Sequence, residues 1–504
     1  MKHTRFEAAV LLIAFGIIAY QIFIPPPVGL ADSWDFERLL RQNGLAHLPT
    51  EYKDKYFLYF NSKYRIITRT IDSDPQSLYA FKSSTSLPMR TARWLSMTAG
   101  QDTIFDIRVL AALYTVLLLF GLWLVLAATR SLHMGLRVLL SGLLVIVFTD
   151  AGYVSYFNSF YSEGTALVFL AIGIGSSLLL ISRRSSSPLI LTGYFLAFLM
   201  VVTTKTMYVP LAPAIALFGL YLSGYVRFRW RYWLSSSLGV VLCCVATWYI
   251  NQTPAVMGAQ AVYVGVFMDL LPHSSNPRQD LSDLGLNPNY EVFSGTTPYQ
   301  PDSPLNDPEV QNDFRSRVKP HTLVLFYLTH PDRLYELYAR CVKLAFTTRV
   351  TRLGYYEAET GKPPRSQPFA LWSVLRENMV PRSVVFLGLF FATGIAAVVF
   401  LFRSSSATAR GMYALYLLFV LIAGAQFFVA VAAGGGEPDL EKHLFMFNVA
   451  FDACLVLAVI GAAYSFQTYR FPLMSRFMRP RTLVATTGSI PSDPAPTSIR
   501  THSR

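Results

Sequence analysis

The sequence predicts an all-α fold: a polytopic transmembrane bundle of about ten helical spans, with two larger segments outside the membrane. Three observations predict it. Hydrophobic residues make up 53% of the 504 residues and charged residues only 14%, where a soluble chain carries about a quarter charged. The apolar residues fall in continuous runs long enough to cross a bilayer, not in the alternation of a transmembrane barrel. Arginines gather in every second turn between those runs, the asymmetry that orients membrane proteins.

Lys2 and Arg5 precede a first apolar run at 6–24. No small-residue cleavage pattern comes before Pro25, Pro26 and Pro27, so this run reads as a retained span with its N-terminus in the cytoplasm. A polar outer loop, 25–106, follows. Runs near 107–128 and 136–148 are joined by an inner turn holding Arg130 and Arg137. A short acidic outer loop, 149–164, leads to a run ending near 181, with Arg183 and Arg184 beyond it. The run 188–203 ends in a tight outer turn around Lys205, and the next ends at Arg227, Arg229 and Arg231. After the run 233–250 this N-terminal module, 1–250, is complete.

The large outer region 251–382 is rich in Pro, Asn, Asp and Gly in its first half. Its second half predicts a helix starting at His330 and Pro331, with Leu334, Leu337 and Val342 on the apolar face. A three-span C-terminal module, 383–465, has runs near 384–402, 412–432 and 444–464. Arg403 and Arg410 mark its inner turn, and 434–443 forms its outer one. The tail 466–504 is basic and then Pro/Ser/Thr-rich, and reads as disordered and cytoplasmic. The net charge of +13 sits mainly in inner turns and tail, so it calls for no nucleic-acid partner. Of four cysteines, three lie inside apolar runs (Cys243, Cys244 and Cys454) and Cys341 stands alone. They show no disulfide framework and no metal-ligand spacing.

Candidate chemistry collects in the outer loops. Asp32 and Asp35 lie just past the first run, three apart and on one face if the segment is helical. Carboxylates there can take a proton from a sugar hydroxyl or hold a divalent cation; the bland alternative is a solvated pair capping a surface helix. In the loop 149–164, Asp150 and Glu163 adjoin hydrocarbon, where a charge needs a partner or a task. Tyr153, Tyr156 and Tyr161 fit an interfacial belt as well as a sugar site, and Asn158 adds an amide suited to hydroxyls. Lys205 is a cation that could meet a lipid phosphate or simply snorkel. The turn 434–443 brings Glu437, Asp439, Lys442 and His443 after three glycines, with Asn448 and Asp452 inside the span that follows. P-loop, dinucleotide, H-E-x-x-H and G-x-S-x-G motifs are absent from the sequence.

These residues resemble the integral-membrane glycosyltransferases of the GT-C class. Asp32 to Asp35 stands where that class carries its first acidic motif, and Asp150 to Glu163 where it carries the second. The segment 283–290 and the turn from Glu437 through Asp439 to Lys442 and His443 are similar to bacterial hexose transferases of cell-surface glycan assembly. The resemblance implies transfer of a sugar from a polyprenyl-phosphate donor to a glycan, lipid or protein acceptor, with inversion, outside a bacterial inner membrane. Asp32 would act as base with Asp35 assisting, although relatives with adjacent acids leave the assignment between the two open. Asp150, Tyr153, Asn158, Glu163, Lys205, Glu437, Asp439, Lys442 and His443 would bind substrate. The resemblance fixes no cofactor; a divalent cation, Mg or Mn, bridging acid and phosphate is compatible with it. Partners are the lipid-phosphate donor, the acceptor and membrane lipids. The rival class is a transporter or a lipid-linked glycan flippase or polymerase, and a transporter or flippase would set its charges at mid-bilayer on broken helices.

Overall fold

The computed structural model describes residues 2–67, 82–183, 187–298, 303–366, 368–432 and 436–477. The chain is 74% helical with almost no strand and forms an all-α polytopic membrane protein. It divides into two compact units, 1–460 and 461–504. The described part of the second is the end of one helix, which stops at Phe477. The tail expected to be disordered lies, from residue 478, outside the described residues.

Among the described residues eight helices are long and apolar enough to cross a membrane. They are α1 (Lys2–Phe23), α2 (Arg108–Ala128), α4 (Ser162–Arg183), α6 (Ala212–Leu222, extended at both ends by tighter turns), α7 (Arg231–Asn251), α10 (Val384–Arg403), α11 (Ala407–Ala432) and α13 (Phe445–Phe477). A ninth is counted if α3 (Met134–Phe148) and the helical turns at Ala151–Asn158 form one span, bent by 50°. The tenth expected span is α5 (Pro188–Val202), whose 15 residues reach about 22 Å at the usual helical rise, short of the ~30 Å hydrocarbon thickness. The expectation of ten therefore resolves to eight or nine by length and composition.

Small residues let the spans approach closely. A Cβ on Gly175 of α4 would lie 2.5 Å from that of Leu124 on α2, and one on Gly121 would lie 2.8 Å from that of Ala171. Such contacts favour tight helix pairs where lipid supplies no hydrophobic drive. Near the end of α2 at which these contacts lie, Glu7 of α1 is buried between Arg130, at 2.6 Å, and Arg137, at 3.1 Å. Arg130 of the turn between α2 and α3, and Arg137 in the first turns of α3, thus hold α1 to this part of the bundle.

Among the described residues of the segment 25–106, a three-stranded antiparallel sheet runs in the order β1 (Leu45–His47), β2 (Lys63–Ile66), β3 (Ile104–Asp106). Leu45, Tyr64, Ile66 and Phe105 from this sheet belong to the continuous hydrophobic core. The predicted helix in the second large loop is present as α8 (Pro331–Ala345), which buries Leu337 and Val342. Two of the shorter helices bear on the site: α9 (Leu371–Met379), which precedes α10, and α12 (Gly436–His443), which precedes α13.

Candidate functional site

After α1 the chain runs extended along two neighbours. Gly29 N donates to Tyr355 O at 3.0 Å, Ala31 N to Gly354 O at 2.9 Å, and Leu30 N to Asn158 O at 3.4 Å. At Asp32 it turns. One carboxylate oxygen accepts from Phe36 N at 3.0 Å, and the other meets His47 Nε2 of β1 at 2.9 Å. The Asp32 side chain is only 1% exposed. Burial raises its carboxyl above the ordinary value, while His47 and the Phe36 amide work in the opposite direction. Asp32 thus does the work of a capping acid: it closes the turn and ties it to the sheet.

Asp35 is placed differently. Its side chain keeps 18% of its surface in solvent and meets Arg38 at 2.8 Å. It accepts from Lys442 Nζ and from Ser33 Oγ at 3.3 Å. Burial alone would push its carboxyl up, but Arg38, Lys442 and Lys205 hold it well below the ordinary carboxylate range. It stays ionised.

Lys442 arrives from α12, more than 400 residues along the chain. It is buried, donates to Ser33 Oγ at 2.9 Å, pairs with Asp439 at 3.2 Å, and lies 5.1 Å from the centre of the Tyr161 ring. Burial disfavours its charge, yet Asp35 and Asp439 outweigh that and keep it protonated. The Tyr161 hydroxyl donates to Ala31 O at 2.8 Å and accepts from Ser33 N at 2.9 Å, fixing the turn from the other side. Glu163, in the first turn of α4, pairs with Lys205 at 2.8 Å and is almost fully buried, while Lys205 keeps 17% of its surface exposed. His443 follows Lys442. Burial, with the charges of Lys205 and Lys442 added to it, pushes its imidazole well below the ordinary value, so it is neutral and can offer hydrogen bonds but not charge to a phosphate.

Asp35, Glu163, Lys205, Asp439, Lys442 and His443, drawn from four distant segments, thus form one charged cluster at the end of the bundle where α4 begins. Arg38, Ser33 and Tyr161 belong to it too. Of these, Tyr161 was one of the loop tyrosines open to either a belt or a sugar-site reading, Arg38 had the signal of its position one helical turn after Asp35, and Ser33 had none. Glu441 faces the other way, accepting from Thr351 N at 2.6 Å and pinning the loop that carries Gly354. The Glu437 side chain lies outside the described residues.

Three expected substrate-binding residues are not part of this cluster. Asp150 caps the turn Ala151–Val154, accepting from Gly152 N at 2.8 Å, and also accepts from Ser373 N at 3.1 Å and from the Ser373 hydroxyl of α9. Tyr153 donates to Asp452 at 2.5 Å. Asn158 donates to Val28 O at 2.8 Å and to Ile22 O at 3.3 Å, bracing the exit of α1. All three are buried. Asp452 itself has the partner its depth demands: Arg376 of α9 at 2.9 Å, both side chains fully buried, with Trp372 Nε1 donating at 2.8 Å. The loop 149–164 is therefore split, its last residues going to the charged cluster and its first to a buried network that seats α9. Among the described residues no group of three or more His, Cys, Asp or Glu side chains is arranged to hold a metal ion.

The family model described as the YfdI N-terminal transmembrane domain matches residues 2–471. The chain belongs to that family. The match takes in every segment that feeds the charged cluster. No curated protein matches the chain.

Proposed function

We propose that the protein is a glycosyltransferase of the GT-C kind, moving a sugar from a polyprenyl-phosphate donor to a glycan, lipid or protein acceptor. The observation that carries this is the charged cluster: an ionised, partly exposed carboxylate, Asp35, ringed by Arg38, Lys442 and Lys205 at one end of a membrane bundle. Acids at a membrane rim suit a substrate held by its lipid tail, and cations beside them suit its phosphate. On this reading Asp35, not Asp32, is the base. The acceptor oxygen forms its bond to the anomeric carbon, its proton passes to Asp35, and the bond to the phosphate oxygen breaks with its electron pair. Arg38 and Lys205, the cations with solvent-exposed surface, stabilise the departing phosphate without a general acid. A weakly basic carboxylate is adequate, because the acceptor hydroxyl becomes strongly acidic once its new bond begins to form. Lys442, already saturated, orients Asp35 instead of binding phosphate.

The arginine distribution supports cytoplasmic termini and a periplasmic site in a bacterial inner membrane. Asp35→Asn is expected to lower consumption of polyprenyl-phosphate-linked sugar in membranes by about 10²- to 10⁴-fold, the usual worth of a general base. Asp32→Asn keeps an acceptor for Phe36 N and is expected to lower it far less. Wild-type consumption by Asp35→Asn would overturn the assignment.

A further inference from the structure

Trp34 stands between Ser33 and Asp35, and its backbone is in the left-handed region, with φ 77. That conformation is unfavourable for a side chain with a Cβ. Here it lets the residues on either side both reach Lys442 while the indole is directed elsewhere. The ring stacks on Tyr56, with centroids 4.6 Å apart and planes within 9°. Its Nε1 donates to Tyr52 Oη at 3.0 Å. Tyr56 is in turn fixed to the same turn, since Phe57 N donates to Asp32 O at 2.9 Å and the Tyr56 hydroxyl reaches Glu37 at 3.4 Å. The indole is nevertheless 50% exposed. A large apolar ring is thus held, stacked on Tyr56 and beside Tyr52, with half of the residue's surface exposed, one residue from the carboxylate of the cluster.

We propose that Trp34 is the platform on which the acceptor sugar rests, a pyranose ring stacking its C–H face on the exposed indole; this rests on the glycosyl-transfer reading above. A pyranose is apolar on its ring faces and polar around its rim, so a flat aromatic surface beside a carboxylate and a guanidinium matches both parts. The platform sets which hydroxyl of the acceptor comes to Asp35, and so contributes to specificity. A lipid-anchoring indole needs neither an unfavourable backbone nor a stacked support beneath it.

The test uses full-length protein in nanodiscs, labelled with 5-fluorotryptophan. The Trp34 fluorine resonance is assigned with Trp34→Phe and followed while methyl hexopyranosides are added. The expected result is a saturable shift of that resonance. Saturation-transfer NMR is then expected to show about tenfold weaker binding to Trp34→Gly, equivalent to about 1.4 kcal/mol. Glycine fits the left-handed backbone, so this loss is not a consequence of strain. An unmoved Trp34 resonance across the panel, or equal binding by Trp34→Gly, overturns the proposal. So does broadening of the resonance by a spin-labelled lipid, which would make the indole a membrane anchor. Failure of the transfer reading is separately visible, as wild-type sugar consumption by Asp35→Asn while Trp34 still binds pyranosides.

Discussion

Two aspartates three residues apart end up with opposite work because of what surrounds them. Asp32 has both oxygens engaged and its carboxyl raised by burial; Asp35 has Arg38, Lys442 and Lys205 beside it and is held low. The pH consequences differ in sign. A raised Asp32 stabilises the fold only at low pH, and that contribution is lost as pH rises from 3.8 through its raised value. A lowered Asp35 contributes stability above 3.8 that is lost only as pH falls through its lowered value. Lys442→Met removes one of the cations holding Asp35 down, so the acid limb of the pH–rate profile is expected to move to higher pH. An unmoved limb would mean that Asp35 is not the group that titrates. Asp32→Ala leaves the Phe36 amide without its acceptor and is expected to cost about 1–2 kcal/mol, read as a lower melting temperature. The sequence showed that acids stand at this position, but not which one is buried. That is decided by Phe36 of the same turn, His47 of the strand that follows and Lys442 of a helix about 400 residues further along the chain.

At the scale of elements, α9 is seated on the bundle by polar contacts to Asp150, Asp452 and Asn448 as well as by packing. Arg376 bonds Asn448 Oδ1 at 2.5 Å and Asp452 at 2.9 Å. Breaking one side of a fully buried pair strands a charge, so Arg376→Met is expected to destabilise by about 3–5 kcal/mol. Arg376→Met combined with Asp452→Asn is expected to recover part of that loss, and thermal unfolding of both variants in detergent measures the difference. Asp452 was legible only as a charge inside a span, where a functional role is the default reading; the structure gives it a buried ion pair instead. That the partner is Arg376 was not legible, because the helix bearing it lies about 75 residues earlier in an outer loop without clear periodicity. The β1–β2–β3 sheet was equally hidden, its strands being only three or four residues long. The close packing of α2 on α4 predicts that Gly175→Val, placed against Leu124 Cβ, lowers the melting temperature.

For the whole molecule, hydropathy and arginine placement gave the all-α bundle and nearly every helix in it, because in a membrane both signals act on long segments and need no tertiary context. The site was legible only as a set of outer loops. Its assembly depends on where α4, α12 and the turn after α1 meet. The proposed topology predicts that, in a background without native cysteines, Glu359→Cys reacts with a membrane-impermeant thiol reagent in intact cells while Arg229→Cys reacts only after lysis. The most direct measurement of the central claim compares Asp35→Asn with Asp150→Asn, each checked for folding by melting temperature, for consumption of polyprenyl-phosphate-linked sugar in membranes. The account predicts that Asp35→Asn folds, with a lower melting temperature because buried Lys442 loses a partner, yet its folded fraction leaves the lipid-linked sugar unconsumed, while Asp150→Asn melts lower and its folded fraction still transfers. Normal consumption by a folded Asp35→Asn variant would contradict it.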